Sequence, residues 1–173
     1  TEFLWRLLPR LNKETPIVLD ADALNILAES GRWSERIVNP AVLTPHPGEM
    51  AKLLGISIAE VQRDRIGTVL DAAKRFNKVV ILKGAATIVA TPKGKLRVSD
   101  WVNHGLSKGG SGDVLAGLIG GLLAQEPTQV YDMASLGVFI HGYAADAARN
   151  DVGEAGMRAT DVIERLGHFY RDI

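Results

Sequence analysis

An α/β fold, with buried strands and helices alternating around a mostly parallel sheet, is predicted by three features of the sequence. Short, mainly apolar runs, Ile17-Val18-Leu19, Val42-Leu43-Thr44 and Val79-Val80-Ile81-Leu82, have the length and β-branched character of strands covered on both faces. Amphipathic segments at helical spacing separate them. Each run then gives way to residues that turn the chain or carry chemistry: Asp20, the Pro45–Glu49 turn and Lys83-Gly84. Successive strand–helix–strand units of this kind make right-handed crossovers, and ligands bind beyond the carboxyl ends of their strands.

Phe3, Leu4, Leu7, Leu8 and Leu11 predict a helix over residues 2–12, ended near Asn12-Lys13. Pro16 opens the first strand. Asp22 is placed to cap a helix through about Glu29, stopped by Gly31. After the second strand, Glu49 begins a helix that Gly55 closes. A longer helix is expected from Ser57 or Ile58 to about Asn77, with Val61, Ile66, Val69, Leu70, Ala73 and Phe76 on its apolar face. The clearest strand, Val79–Leu82, leads into a hairpin of Ala86–Ala90 and Lys95–Val98 joined by Thr91-Pro92-Lys93-Gly94. A glycine-rich loop follows, then helices from Asp113 to about Gln125, from about Thr128 to Arg149, and from about Ala159. Leu118–Leu123 and Met133–Phe139 read as core stripes. With neither repeat nor linker in 173 residues, one domain is expected.

Composition narrows the function classes. Hydrophobic residues make up 46% and charged residues 23%, with a formal net charge of zero. That balance argues against a general nucleic-acid or membrane-surface binder, which needs a basic excess. The sequence has no cysteine, so thiolate catalysis and disulfides are excluded and a reducing, cytoplasmic setting is compatible. No apolar run approaches the roughly 18 residues that span a bilayer. The chain starts Thr1-Glu2-Phe3-Leu4-Trp5, without a signal-peptide pattern or an initiator Met, and is expected to be a piece of something longer.

The most informative stretch is Asn103-His104-Gly105-Leu106-Ser107-Lys108-Gly109-Gly110-Ser111-Gly112-Asp113, running into Val114-Leu115-Ala116-Gly117. Glycines let backbone approach a ligand closely, and a helix start offers free N–H groups and a positive dipole end to an anion. Asp113 beside such a site can orient or deprotonate a hydroxyl. A flexible connector with Asp113 as an ordinary N-cap is the plainer alternative. The spacing is neither that of a Walker loop nor that of a Rossmann fingerprint. Gly117, Gly120 and Gly121 lower helix propensity, and close packing against a neighbour is their expected return.

Three other groups stand beside this loop. Lys83-Gly84-Ala85-Ala86-Thr87 follows the best strand; Lys83 either faces a nucleotide or is a solvated strand end. Pro45-His46-Pro47-Gly48-Glu49 is a stiffened turn in which His46 is either a substrate donor or a surface residue, and Glu49 serves a site or simply its helix's first turn. Asp20 and Asp22 are two residues apart and either hold a magnesium ion or, for Asp22, cap a helix. His104, His141 and His168 lack metal-ligand spacing.

Taken in order, Val18-Leu19-Asp20-Ala21-Asp22-Ala23-Leu24-Asn25, Leu43-Thr44-Pro45-His46-Pro47-Gly48-Glu49-Met50, Leu82–Thr87 and Gly109–Gly117 resemble the NAD(P)H-hydrate dehydratases, a branch of the ribokinase-like superfamily. The likeness runs over nearly the whole chain. It implies a three-layer α/β/α ribokinase-like fold whose first strands, and an early substrate-binding loop, lie outside the chain, leaving one sheet edge open. It implies repair of hydrated NADH and NADPH: ATP or ADP, with Mg2+, phosphorylates the added ring hydroxyl, and loss of phosphate restores the double bond. On the resemblance Asp113 is the catalytic base and also touches substrate. Lys83, Gly84, Ala85, Ala86 and Thr87, with Asn103, His104, Gly105, Leu106, Ser107, Lys108, Gly109, Gly110, Ser111 and Gly112, line the nucleotide. His46, Gly48 and Glu49 face the hydrated dinucleotide, Asn25 has no assigned role, and the magnesium ligands stay open. A homo-oligomer is implied, with an epimerase domain or a further N-terminal segment as partner and no nucleic acid or membrane. Leu106-Ser107-Lys108 departs from the family's usual Met-Ala-Thr or Met-Ala-Ser, adding a charge near the phosphate. The competing readings are a small-molecule kinase of the same superfamily, acting on a sugar or hydroxymethylpyrimidine-type hydroxyl, and a nucleotide-binding module without catalysis.

Overall fold

Side-chain alternation along the strands divides the interior in two, and the helices follow that division. In the computed structural model, which describes residues 2–172, strands β1 (Ile17–Leu19), β2 (Ala41–Leu43), β3 (Val79–Leu82), β4 (Ile88–Ala90) and β5 (Leu96–Val98) form one sheet in sequence order. β1, β2 and β3 are parallel, with Val18 opposite Val42 and Leu43 opposite Val80; β4 and β5 return as antiparallel neighbours. Leu19, Leu43, Val80 and Leu82 point to one face and pack with α2 (Asp22–Glu29), α4 (Pro47–Leu54) and α6 (Arg65–Phe76). Val42, Val79 and Ile81 point to the other, against Leu115, Ile119 and Leu123 of α7 (Ser111–Gln125) and Ala134 and Val138 of α8 (Val130–Val152). The result is the expected three-layer arrangement, parallel at its start. A separate seam of Ala144, Ala145, Ala148, Met157 and Val162 joins α8 to α9 (Ala159–Asp172). No helix of the described residues is long and apolar enough to cross a membrane.

Several predicted boundaries move. The helix expected over 2–12 is α1 (Glu2–Leu7) followed by a 3-10 turn at Leu8–Arg10 around Pro9. The helix expected from Ser57 to Asn77 is two: α5 (Ile58–Arg63), capped by Ser57 in a capping box with Glu60, and α6, capped by Asp64. Asp64 breaks the run because its carboxylate accepts the Gly67 N–H at 2.8 Å. A one-turn helix, α3 (Trp33–Arg36), was not predicted. Asp22 is not an N-cap; Ala21 holds that position with φ +50 and no side-chain cap. α4 begins at Pro47 rather than Glu49, and α7 at Ser111, so Asp113 is its third residue and not its cap. Ala86 lies before β4, in a left-handed conformation.

Helix α7 is the element that carries the glycine loop, and it is held on the sheet by α8. A Cβ on Gly137 of α8 would stand 2.6 Å from Ile119 Cγ1, which is itself fully buried. The positions of Gly117, Gly120 and Gly121 meet nothing within 4 Å. The expectation that these three pack tightly is therefore corrected: the close approach uses the glycine of the opposite helix. Gly137→Val is expected to destabilise the fold by about 1–3 kcal/mol through overpacking. Gly121→Ala, in open space, is expected to stabilise it by roughly 0.5–1 kcal/mol through helix propensity. Urea unfolding of the two variants beside the parent checks both signs.

Candidate functional site

The carboxyl ends of β1, β2 and β3 are tied together by main-chain bonds that outlast the strands. Thr44 N–H donates to Leu19 C=O at 3.2 Å and Lys83 N–H to Pro45 C=O at 2.9 Å. This ladder brings Asp20, His46 and Lys83 to one edge. Lys83 Nζ donates to Asp20 Oδ1 at 2.7 Å and lies 3.8 Å from Glu49 Oε2, with all three side chains largely buried. Above them sits Gly112: a Cβ there would be 3.3 Å from Lys83 Nζ and 3.6 Å from Asp20 Oδ2. A side chain at this position would press on the ion pair, and the Lys83 ammonium would have to give by a few tenths of an ångström. The first-turn amides of α7, which lack intrahelical acceptors, add their own positive end to the Lys83 ammonium.

The glycine loop wraps this point. Gly110 caps α7 with φ +91, and Ser111 is buried with its Oγ donating to Leu106 C=O at 2.5 Å. A 3-10 turn, His104–Ser107, precedes it. Asn103 anchors that turn: its amide donates to Ala145 C=O at 2.9 Å and its carbonyl accepts from Gly105 N–H at 2.9 Å. Gly105 is buried against Met157, with a Cβ there only 2.5 Å from Met157 Cε. The outer side of the turn is held by the α8–α9 connection: His104 N–H donates to Glu154 Oε1 at 2.7 Å, and Lys108 Nζ donates to Ala155 C=O. The Lys108 ammonium is thus engaged by the α8–α9 connection, and Lys108 does not line the cavity described below.

Between this loop and the Lys83–Thr87 turn lies a cavity of about 190 Å³. Lys83, Gly84, Ala85 and Thr87 line one side, and Asn103, His104, Leu106, Ser107, Ser111 and Gly112 the other. Trp101, packed against Gly142 of α8, and His141 complete its wall. The structure brings these predicted nucleotide residues together. Ala86, Gly105, Lys108, Gly109, Gly110 and Asp113 do not line this cavity, though all but Ala86 belong to the loop that frames it or the helix turn that follows. Asp113 is exposed on the first turn of α7, next to Gly112.

His46, Gly48 and Glu49 sit at the same sheet edge and build the start of α4. His46 Nδ1 accepts from Gly48 N–H at 3.0 Å and Glu49 N–H at 3.3 Å, while Glu49 Oε2 accepts from His46 N–H at 2.8 Å. This reciprocal capping box leaves the proton of a neutral His46 on Nε2, on a side chain 56% exposed. A Cβ on Gly48 would meet His46 Cε1 at 2.9 Å, so the ring fixes that glycine. Asn25 joins α2 to α4 by accepting from Lys52 Nζ at 2.9 Å.

Asp20, offered by the sequence with Asp22 as a candidate magnesium pair, is the direct partner of Lys83, a pairing that carried no sequence signal. Two further residues escaped the sequence reading. Arg65 lies under the Lys83–Thr87 turn and carries no sequence signal beyond its charge. His141 is buried inside α8, where its neighbours Val138, Ile140 and Ala144 mark it as core. Its Nε2 has no hydrogen-bond partner among the described residues. Desolvation by burial pushes its pKa down to about 4; a hydrogen bond with the Ser111 backbone opposes this, and the charge of Lys83 adds to it.

The NAD(P)H-hydrate dehydratase family profile matches residues 2–167. The chain is 45% identical over 156 residues to the bifunctional NAD(P)H-hydrate repair enzyme Nnr of Coxiella burnetii, covering 90% of this chain and 31% of that protein. It is 44% identical to the ADP-dependent (S)-NAD(P)H-hydrate dehydratase of Neisseria meningitidis serogroup B, covering 86% of this chain and 51% of that one. Among solved structures it superposes on the ADP/ATP-dependent NAD(P)H-hydrate dehydratase of Bacillus subtilis, co-crystallised with ATP and Mg2+, with a TM-score of 0.82 and 29% identity over 91% of this chain and 56% of that one. The chain thus spans between about a third and about half of the relatives it matches. It belongs to the NAD(P)H-hydrate dehydratase family.

Between about pH 4 and its ordinary 6.5, folded His141 holds fewer protons than the unfolded chain does. Acid therefore favours unfolding in that window: the contribution is full above pH 6.5 and is lost as pH falls toward 4. Its size is on the order of 3 kcal/mol. Chemical denaturation at pH 7.5, 6 and 5 is expected to show this slope in the parent and a shallower one in His141→Gln.

Proposed function

We propose that this member of the family regenerates NADH and NADPH from their hydrated forms in a reaction driven by ADP or ATP. One observation carries the reading: the cavity between the Lys83–Thr87 turn and the glycine loop ends where the α7 amides and a fixed ammonium converge. An anionic group bound there meets the free first-turn amides of α7, with the Lys83 ammonium, already paired to Asp20, beside them in a partly enclosed space; directed N–H donors of this kind stabilise a phosphoryl group in transit. The nucleotide occupies the cavity, along Lys83–Thr87 and Asn103–Gly112.

Magnesium suits this site as an ion carried by the nucleotide. No group of three or more carboxylate or imidazole side chains among the described residues is placed to cage a metal, and Mg2+ commonly binds through phosphate oxygens, waters and one or two carboxylates. Asp113, exposed beside Gly112, is the carboxylate near the phosphate not already committed to Lys83. When bound, the ion supplies charge neutralisation on the phosphates.

The hydrated dinucleotide approaches from the His46 side, where the exposed His46 ring, its Nε2 3.5 Å from Glu49 Oε1, stands over the turn that Gly48 and Glu49 shape. Asp113 accepts the proton of the ring hydroxyl as its oxygen bonds to the terminal phosphorus and the phosphoanhydride bond breaks. The C–O bond of the phosphorylated ring then breaks, phosphate leaves, and loss of a proton from the neighbouring carbon restores the double bond. Asp20 and Glu49 keep Lys83 extended toward α7 during transfer. The cysteine-free chain suits a cytoplasmic setting, and a homo-oligomer is part of the reading.

The test is recovery of NADH absorbance from hydrated NADH with Mg2+ and ADP or ATP. Asp113→Asn is expected to keep ADP binding and to lose about 100-fold or more in kcat. Normal turnover by that variant overturns the assigned base. A stable phosphorylated product without phosphate release indicates the small-molecule kinase instead. ADP binding without turnover, unchanged in Asp113→Asn, indicates a nucleotide-binding module.

A further inference from the structure

The Lys83–Thr87 turn is supported from behind by one side chain that neither motif contains. Arg65, on the first turn of α6, places its guanidinium under the turn. One nitrogen donates to both Leu82 C=O and Ala86 C=O, each at 3.4 Å, and the other donates to Gln62 Oε1 at 3.2 Å. A Cβ on Gly84, at φ +140, would stand 3.0 Å from one guanidinium nitrogen and 3.2 Å from the other. The arginine therefore fills the concave side of the turn, and a side chain on Gly84 would strike it. Arg65 does not line the ligand cavity; Lys83, Gly84, Ala85 and Thr87 do.

This contact sets backbone direction. Ala86 is held at φ +53, a left-handed conformation that costs an L-residue about 1–2 kcal/mol. Its carbonyl faces Arg65, and across a trans peptide the following N–H points the opposite way. The Thr87 N–H is thereby directed away from the arginine. Leu82 C=O, at the end of β3 just before the turn, accepts from the same nitrogen, and within the turn Thr87 Oγ1 donates to Gly84 C=O at 3.0 Å.

We propose that Arg65 is a positioning residue for nucleotide binding: it holds Ala86 in its left-handed conformation so that the Lys83–Thr87 backbone stands ready for the nucleotide. The inference rests on the reading of that turn as the nucleotide site.

Two measurements test it, one without ligand. In the ligand-free protein, Arg65→Ala is expected to shift and broaden the backbone NMR resonances of residues 84–87 relative to the rest of the sheet edge. By calorimetry it is expected to weaken ADP binding by about tenfold or more, with KM for hydrated NADH unchanged and kcat retained at saturating ADP. Arg65→Lys, which keeps the charge but loses the planar guanidinium that also reaches Gln62, falls between. Arg65→Ala/Ala86→Gly is expected to recover part of the ADP affinity, because glycine adopts positive φ without a clamp; a general loss of packing would not be rescued this way. Unchanged resonances at 84–87 in Arg65→Ala overturn the clamp. Altered resonances with unchanged ADP affinity overturn its role in binding. Failure of the parent to bind ADP overturns the nucleotide reading of the turn, and the ligand-free resonances separate that result from failure of the clamp.

Discussion

The arrangement turns on one buried cation. Lys83, at the end of the central strand β3, would face the positive end of α7 with only about a fifth of its side chain in solvent. An ammonium so placed is tolerable only when paired, since desolvating an isolated charge is prohibitive. Asp20, from the end of β1, supplies the direct partner, and Glu49, from the start of α4 after β2, supplies a second carboxylate. The three come from three adjacent strand ends, so the pair forms only when β1, β2 and β3 are in register. Gly112 then closes over it. Sheet register, charge pairing and the seating of the glycine loop are one condition.

The same economy governs the turn after β2. His46 and Glu49 cap α4 reciprocally, and Glu49 also faces Lys83. Helix start and site are built from the same side chains. A substitution at Glu49 thus removes a helix cap and alters the charge around Lys83 together, and its effects on folding and on ligand binding are not separable by that substitution alone.

Much of this was legible in the sequence, and the reasons differ from element to element. Ile17–Leu19 and Val79–Leu82 are unbroken apolar runs because both sheet faces are covered, so their strand character is local information. The glycine loop and the Lys83–Thr87 turn were legible as candidate ligand sites because their residue types are costly anywhere else. The break at Asp64 was obscured by apolar periodicity that continues across it from Val61 to Val69, while the capping bond is a property of one carboxylate. Asp20 as the partner of Lys83 was not legible: the two residues are 63 positions apart, and only the parallel pairing brings them together. Arg65 and His141 were hidden for the same reason, since what distinguishes each is the backbone it meets across the fold. The helix glycines misled because low propensity at Gly117, Gly120 and Gly121 signals tolerance of open space as well as close contact, and the tight position is Gly137.

The tether of the 3-10 turn to the α8–α9 connection has a consequence for how the family's sequences can drift. His104 N–H is held by Glu154 and Gly105 rests on Met157, some 50 residues further along the chain. The rim of the cavity is therefore shaped by a segment that carries none of the recognisable motifs. Insertions or deletions in that connection, which would look neutral beside an intact glycine loop, would reshape the mouth of the cavity while every signature residue stayed in place. Within such a family, fit to a ligand can diverge in a part of the chain that motif comparison does not read.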